Sequence, residues 1–241
     1  MARTGHGEDG WIEGRLVRRY RRFLADVELP HGRIVTAHCP NSGSLRGCLG
    51  EGRRVWLEHR PSRRRRLAYT LAMIHDGRVW VGIDTHRTNR VAERALRAGT
   101  VRELGPSATL RREIRLGRHR IDFLGRFPDG PAWVEVKSVT LVLPDGRAAF
   151  PDAPTRRGVR HLGLLTRLAR FGHRTAVLFV VQRPDGVAWR PAEEIDPAFA
   201  SALREAAAAG VAVLAYRAWV APGRPWELGP PLPVELSAGG R

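Results

Sequence analysis

The sequence predicts two domains: a small closed β-barrel of the OB type over residues 1–86, and an α/β domain built on a mixed sheet over 87–241. Two observations carry this reading. The first part of the chain falls into five or six short strands separated by turn residues, a length and count that suit a small barrel. After residue 89 the pattern changes, and helical stretches begin to alternate with strands in the order αβββαβαβ.

Each element has a local reason. Residues 11–17 and 20–29 are rich in β-compatible side chains, Pro30-His31-Gly32 turns the chain into 34–39, and strands at 54–58 and 67–74 follow. Asp76-Gly77 is a hairpin signal leading into 79–83. A helix over 89–98 ends at Gly99. Strands at 109–116, 119–126 and 132–139 are joined by Gly117-Arg118 and Pro128-Asp129-Gly130. Thr155 is a good N-cap for a helix running to Phe171, with Gly172 as its stop. A strand over 174–182, an alanine-rich helix over 196–209 closed by Gly210, and a last strand over 211–216 complete the domain. A hairpin feeding crossover helices produces a mixed sheet covered on both faces. The Pro/Gly-rich stretch after Val220 is expected to be irregular.

Lys and Arg number 41 against 24 Asp and Glu, a formal charge of +17. Such an excess attracts polyanions, so DNA is the leading partner, and RNA stays open. The longest apolar run, 176–181, is far shorter than the roughly 20 residues of a membrane helix, and no membrane association is expected. Residues 1–11 contain no apolar run resembling a secretory leader, so a cytoplasmic location is expected. Cys39 and Cys48, with no C-x-x-C spacing, read as two reduced thiols. Candidate phosphate contacts are Arg18, Arg19, Arg21 and Arg22 between the first strands, and the run Arg63, Arg64, Arg65 and Arg66. The aromatics Tyr20, Phe23, Trp56 and Tyr69 interleave with them, as base stacking beside phosphate neutralisation would require. Phe23 and Trp56 are expected to fill the barrel instead.

Lys137 is the only lysine, and Asn41 and Asn89 are the only asparagines. A GC-rich coding bias drains both residue types, so a survivor does something its substitute cannot; an ammonium is a compact donor of tunable pKa that a guanidinium cannot replace. Lys137 lies in the alternating strand Trp133-Val134-Glu135-Val136-Lys137, where a period of two places Glu135 and Lys137 on one face. The hairpin through 128–131 brings Asp122 to within about two residues of Glu135, and the turn at Gly117-Arg118 sets Glu113 across from Asp122. Asp122, Glu135 and Glu113 are thus expected to converge and hold Mg²⁺ or Mn²⁺, with Lys137 orienting a water or stabilising developing charge on a phosphate. The bland alternative is a Glu135–Lys137 salt bridge on a half-exposed sheet. Arg157 and His161, four apart on the following helix, are expected to contact phosphate or assist proton transfer.

Several longer stretches carry a resemblance: RRYRRFLADVEL (18–29), HCPNSGSLRGC (38–48), RIDF (120–123), VEVKSVTL (134–141), FPDAPTRRGVRHL (150–162) and VAVLAYRA (211–218). In this order they resemble the sugar fermentation stimulation protein A (SfsA) family over nearly the whole chain. The resemblance implies an N-terminal OB-like barrel and a C-terminal PD-(D/E)xK nuclease-type domain, usually described as DNA-binding. It also implies that Asp122, Glu135 and Lys137 form the metal and catalytic set, with Glu113 beside them. The block 38–43, containing Asn41, is expected to shape the DNA groove. Two functions follow from different classes: a metal-dependent deoxyribonuclease of weak sequence preference, or a non-catalytic DNA-binding regulator of sugar catabolism on a nuclease fold. The residues do not define an oligomeric state.

Overall fold

The computed structural model describes residues 10–63, 65–117 and 119–237. The N-terminal strands are β1 (Trp11–Tyr20), β2 (Leu24–Glu28), β3 (Ile34–His38), β4 (Arg54–His59), β5 (Tyr69–His75) and β6 (Trp80–Gly82). They pair in the order β3-β2-β1-β4-β5-β6, and β3 also pairs with β5 in parallel, so the first five strands close into an OB barrel. Alternate residues point inward as the period of two requires: Ala25 and Val27, Val35 and Ala37, and Val55 and Leu57 meet in one buried cluster with Leu71 and Ile74. A fully buried Val or Leu of this kind contributes about 1.5–3 kcal/mol.

The second domain opens with α1 (Thr85–Ala98), whose N-cap Asp84 accepts the backbone N–H groups of His86 and Arg87. It ends at Gly99, which has a left-handed φ of 75° that favours glycine. There follow the meander β7 (Thr109–Leu116), β8 (His119–Phe127) and β9 (Gly130–Val139), then the short β10 (Leu141–Val142) and β11 (Ala148–Phe150). Next come α2 (Arg156–Arg170), β12 (Arg174–Val181), β13 (Trp189–Pro191), α3 (Pro197–Ala208), β14 (Ala212–Trp219) and β15 (Glu227–Pro231). The main sheet runs β15-β14-β12-β9-β8-β7, with β9, β12 and β14 parallel. One face, through Val134, Val136, Leu178 and Leu214, packs on Val91, Ala92 and Leu96 of α1. The other, through Val177, Phe179 and Ala215, packs on Leu162, Leu165, Phe199 and Leu203 of α2 and α3. Helices thus cover both faces of a mixed sheet, the α/β arrangement expected from the sequence.

Hydrogen bonds fasten the barrel to the second domain. Gly82 N–H donates to the Gln182 carbonyl (2.9 Å), and Thr85 Oγ1 donates to the Pro40 carbonyl (2.7 Å). The buried Arg183 guanidinium reaches Asp76 (2.7 Å) and the Thr140 carbonyl (3.1 Å).

Several local expectations are corrected. The first strand does not break at Val17: β1 continues to Tyr20, so Arg18 and Arg19 lie in the strand, and Arg21, Arg22 and Phe23 form the turn. Helix α1 starts at Thr85 rather than residue 89, because Asp84 supplies the cap. The stretch after Val220 contains β15, and β10, β11 and β13 form a small extra sheet. Neither Phe23 nor Trp56 fills the barrel: Phe23 is 48% exposed, and Trp56, between the inward-facing Val55 and Leu57, packs from outside the barrel on the cluster that includes α1 and the main sheet. Both cysteines are buried and free, and burial pushes the Cys48 thiol up to about 12. Among the described residues no helix is long and apolar enough to cross a membrane.

Candidate functional site

The alternation of β9 puts Val134 and Val136 against α1 and turns Glu135 toward α2. Glu135 is 3% exposed, a costly place for a carboxylate unless it is held. It is held at one oxygen only. Lys137 Nζ donates to Glu135 Oε1 (2.6 Å), and His161 Nδ1 from α2 contacts the same Oε1, while Oε2 is buried without a partner. Burial alone would raise this carboxyl; the Lys137 charge and the His161 contact outweigh it and bring it down to about 2.

Asp122 is at the matching register of β8. The β8–β9 ladder runs as far as Phe123 opposite Val134, and the next step would set Asp122 against Glu135. At that step the Asp122 carboxylate replaces the backbone ladder: Oδ2 accepts the Val136 N–H (2.8 Å), and Oδ1 accepts from the Asn89 amide of α1 (3.2 Å). Burial, followed by repulsion from Glu135, raises Asp122 to about 6. Two neighbouring carboxylates thus have their pKa values pushed apart, one kept ionised and one made reluctant.

These groups stand on the wall of a cavity of about 800 Å³ lined from both domains. The barrel contributes Arg19, Arg22, Asn41 and Gly43; α1 contributes Thr85, His86, Thr88 and Asn89; the segment before α2 contributes Asp152 and Thr155, and the first turn of α2 contributes Arg157. The expected residues divide accordingly. Asn41 lines the cavity and its Oδ1 accepts the Gly43 N–H (2.8 Å), making a local turn. Arg157 lines it with no polar partner among the described residues. Arg19 lines it too, but its guanidinium donates to the carbonyls of Arg22, Asn41 and Gly43, so it braces the wall. Arg18 pairs with Asp26 (2.8 Å) and, like Arg21, does not line the cavity. Arg63, Arg65 and Arg66 are exposed on the β4–β5 loop; Arg64 is outside the described residues. His38 is held below its usual pKa by burial and then by His86 and Arg65; neither His38 nor Arg65 lines the cavity.

Glu113 lines the same cavity as Asp122 and Glu135, and its charge adds to the upward push on Asp122, but its side chain is exposed and pairs with Arg120 (2.8 Å), and its backbone is left-handed (φ 56°). Among the described residues no three His, Cys, Asp or Glu side chains group as metal ligands. The cavity wall carries four carboxylates, Glu113, Asp122, Glu135 and Asp152, of which Asp122 and Glu135 stand at matching register on neighbouring strands. His161 is not an exposed phosphate contact; it is 6% exposed and lies behind Glu135. Sequence reasoning missed Asn89, although it was one of two surviving asparagines, and Asp152, which accepts the Leu45 N–H (2.7 Å). It also missed a chain in which the Gln182 amide donates to Thr88 Oγ1 (2.5 Å), which in turn donates to Ser138 (3.2 Å).

Family models match both parts of the chain: residues 17–83 as "SfsA N-terminal OB domain" and 86–224 as "Sugar fermentation stimulation protein RE domain". The chain belongs to the sugar fermentation stimulation protein (SfsA) family. A sugar fermentation stimulation protein homolog of Syntrophotalea carbinolica is 52% identical over 212 residues, covering 88% of this chain and 91% of that one. One from Geobacter metallireducens is 51% identical over 211 residues, covering 87% and 90%. A solved structure of Pyrococcus furiosus SfsA in complex with Ca²⁺ superposes with a TM-score of 0.83 at 30% identity, covering 93% of this chain and 96% of that one.

Proposed function

We propose that this SfsA chain is a divalent-metal-dependent deoxyribonuclease of weak sequence preference, hydrolysing phosphodiester bonds in the cavity between its barrel and its α/β domain. The observation that carries this is the half-satisfied Glu135: two partners fix one oxygen, and the other stays buried, unpaired and on the wall that Asp122 shares. An orphaned carboxylate oxygen beside a second carboxyl of raised pKa fits a hard cation. Asp122 and Glu135 would hold Mg²⁺ or Mn²⁺, and the Ca²⁺ in the Pyrococcus furiosus relative supports a divalent ion here. Such an ion supplies charge neutralisation at a phosphate and a bound water acidic enough to attack it.

The chain's own groups do the rest. Lys137 presents an ammonium fixed by Glu135, able to hold an attacking water or meet charge growing on the phosphate. His161 acts through Glu135 as a positioning residue, fixing which oxygen faces the cavity. Arg157 and Arg22 supply cationic walls for the flanking phosphates. The net charge of +17 draws the polyanion in.

The test is cleavage of supercoiled and single-stranded DNA with Mg²⁺ or Mn²⁺, wild type beside Glu135→Gln. Metal-dependent cutting that disappears in the variant supports the reading. No cutting by wild type, with tight DNA binding in both proteins and in EDTA, would make the chain a DNA-binding regulator on a nuclease fold.

A further inference from the structure

We infer that the cavity admits one unpaired strand of DNA, at an end or a melted stretch, and that Phe23 stacks on a base at its mouth; this rests on the nuclease reading and specifies its substrate. The first argument is depth. Glu135 and Lys137, at the floor, have side chains only 4% and 12% exposed, so a phosphate must descend into the cavity to meet them. A volume of about 800 Å³ is that of a site enclosing a ligand of a few hundred daltons, such as one to three nucleotides. Base pairing holds the phosphates of a duplex on the outside of a stiff rod, which cannot descend into such a space.

The second argument is that the rim is tied across. Ser44 Oγ donates to the Asp152 carbonyl (2.7 Å), and Leu45 N–H donates to the Asp152 carboxylate (2.7 Å). These bonds join the barrel side of the cavity to the α/β side, so widening it for a duplex would break them.

The third argument is Phe23. It follows Arg22, a cavity-lining residue, in a turn whose two arginines are both left-handed (φ 49° and 62°). Arg19 braces that turn through the Arg22 carbonyl (2.8 Å) and ties it to the Asn41 and Gly43 carbonyls on the wall. The Phe23 carbonyl accepts the Cys39 N–H (2.8 Å), so the backbone at the tip is fixed at both ends while the ring is 48% exposed. A rigidly mounted, solvent-facing ring beside cationic side chains is what base stacking uses, and a base offers its face only when unpaired.

The test compares a fluorescein-labelled 20-nucleotide strand with its blunt duplex. Binding is read by anisotropy in Ca²⁺ and cutting on gels in Mn²⁺, for wild type, Phe23→Ala, Phe23→Trp and, as a control, Phe171→Ala. Phe171 is the most exposed large apolar side chain among the described residues and caps the far end of α2. The expected result is single-strand binding at least roughly tenfold tighter than duplex binding, and a further loss of roughly tenfold in Phe23→Ala, as removal of one base stack predicts. Phe23→Trp and Phe171→Ala should bind like wild type, and Phe23→Ala should melt like wild type. Duplex bound as tightly as single strand, or Phe23→Ala indistinguishable from wild type, overturns the inference. Cutting of duplex and single strand alike overturns it while leaving the nuclease reading intact. The binding pattern without any cutting does the reverse.

Discussion

Asp122→Asn should make the metal-free protein more stable at neutral pH, an unusual outcome for altering a candidate catalytic residue. The reasoning starts from the raised pKa: burial and Glu135 move Asp122 from 3.8 to about 6, about 2 pH units, which at ~1.4 kcal/mol each costs about 3 kcal/mol whenever it is ionised in the folded state. The sign follows from proton binding. Between pH 4 and 6 the folded protein keeps a proton that the unfolded chain has shed, so stability falls as pH rises through that window. The cost is absent below about pH 4 and complete above about pH 6. Asparagine keeps the shape, and its carbonyl can still accept the Val136 N–H. The Asn89 amide loses its acceptor, at roughly 1 kcal/mol.

The variant should therefore exceed wild type by about 2 kcal/mol at pH 7.5 and fall about 1 kcal/mol below it at pH 4, the difference between the ~3 kcal/mol relief and the ~1 kcal/mol loss. Guanidinium unfolding in EDTA at pH 4, 5, 6 and 7.5 measures both ends. Millimolar Mn²⁺ should then stabilise wild type but not the variant, since the cation relieves the same repulsion. An Asn variant weaker than wild type at pH 7.5, or a difference that does not move with pH, would refute the reasoning.

Three further outcomes are expected. His161→Ala should lower metal-dependent cutting by about 10- to 100-fold, the usual loss when a partner orienting a metal ligand is removed, and leave DNA binding in EDTA unchanged. DNA affinity should fall steeply with salt: with about six phosphates neutralised, roughly a thousandfold between 50 and 200 mM, so a flat response in a binding titration would reject the basic path into the cavity. Asp152→Ala strands the N–H of the fully buried Leu45 and should cost about 1–3 kcal/mol in guanidinium unfolding; a loss below that would mean the tie across the rim holds nothing.

Much of the site was legible because two strand rules act on few residues. A period of two puts Glu135 and Lys137 on one side, and the turn at 128–131 sets Asp122 opposite Glu135; the ladder from Phe127–Gly130 to Phe123–Val134 runs in that register. The same arithmetic aligned Glu113 with Asp122, and the pairs on either side, Arg112 with Phe123 and Ile114 with Ile121, keep that register. It placed Glu113 on the same cavity but could not show that its side chain is exposed and paired with Arg120, since no register argument sees a single reversed φ. His161 was misread for a different reason. Spacing of four to Arg157 puts both on one stripe, but His161 also shares a stripe with Gly158, Leu162 and Leu165, all buried on α2. That i, i+3, i+4, i+7 pattern was in the sequence and outweighs the pair. Phe23 escaped because strand periodicity does not say where a strand ends, and it lies in the turn between β1 and β2. The strands β10, β11 and β13, two or three residues each, are too short for any periodicity to register.

The geometry also weighs on the choice between nuclease and regulator. A module that only bound DNA would gain from every cation in its cavity and lose from every anion. Here the single lysine is drawn onto Glu135 rather than left free for phosphate, and Asp122 and Glu135 stand on a wall whose four carboxylates nearly balance its five Lys and Arg residues. Asp122 adds a charge that costs about 3 kcal/mol to keep ionised near pH 7. Neither arrangement helps a polyanion to bind, and both cease to be a handicap once a divalent cation lies between the carboxylates and the phosphate. On the proposed reading, the repulsion between Asp122 and Glu135, unhelpful to a binder, would be the source of affinity for that cation. The charge arrangement therefore favours the proposed nuclease over the regulator, with DNA binding assigned to the arginines around the cavity.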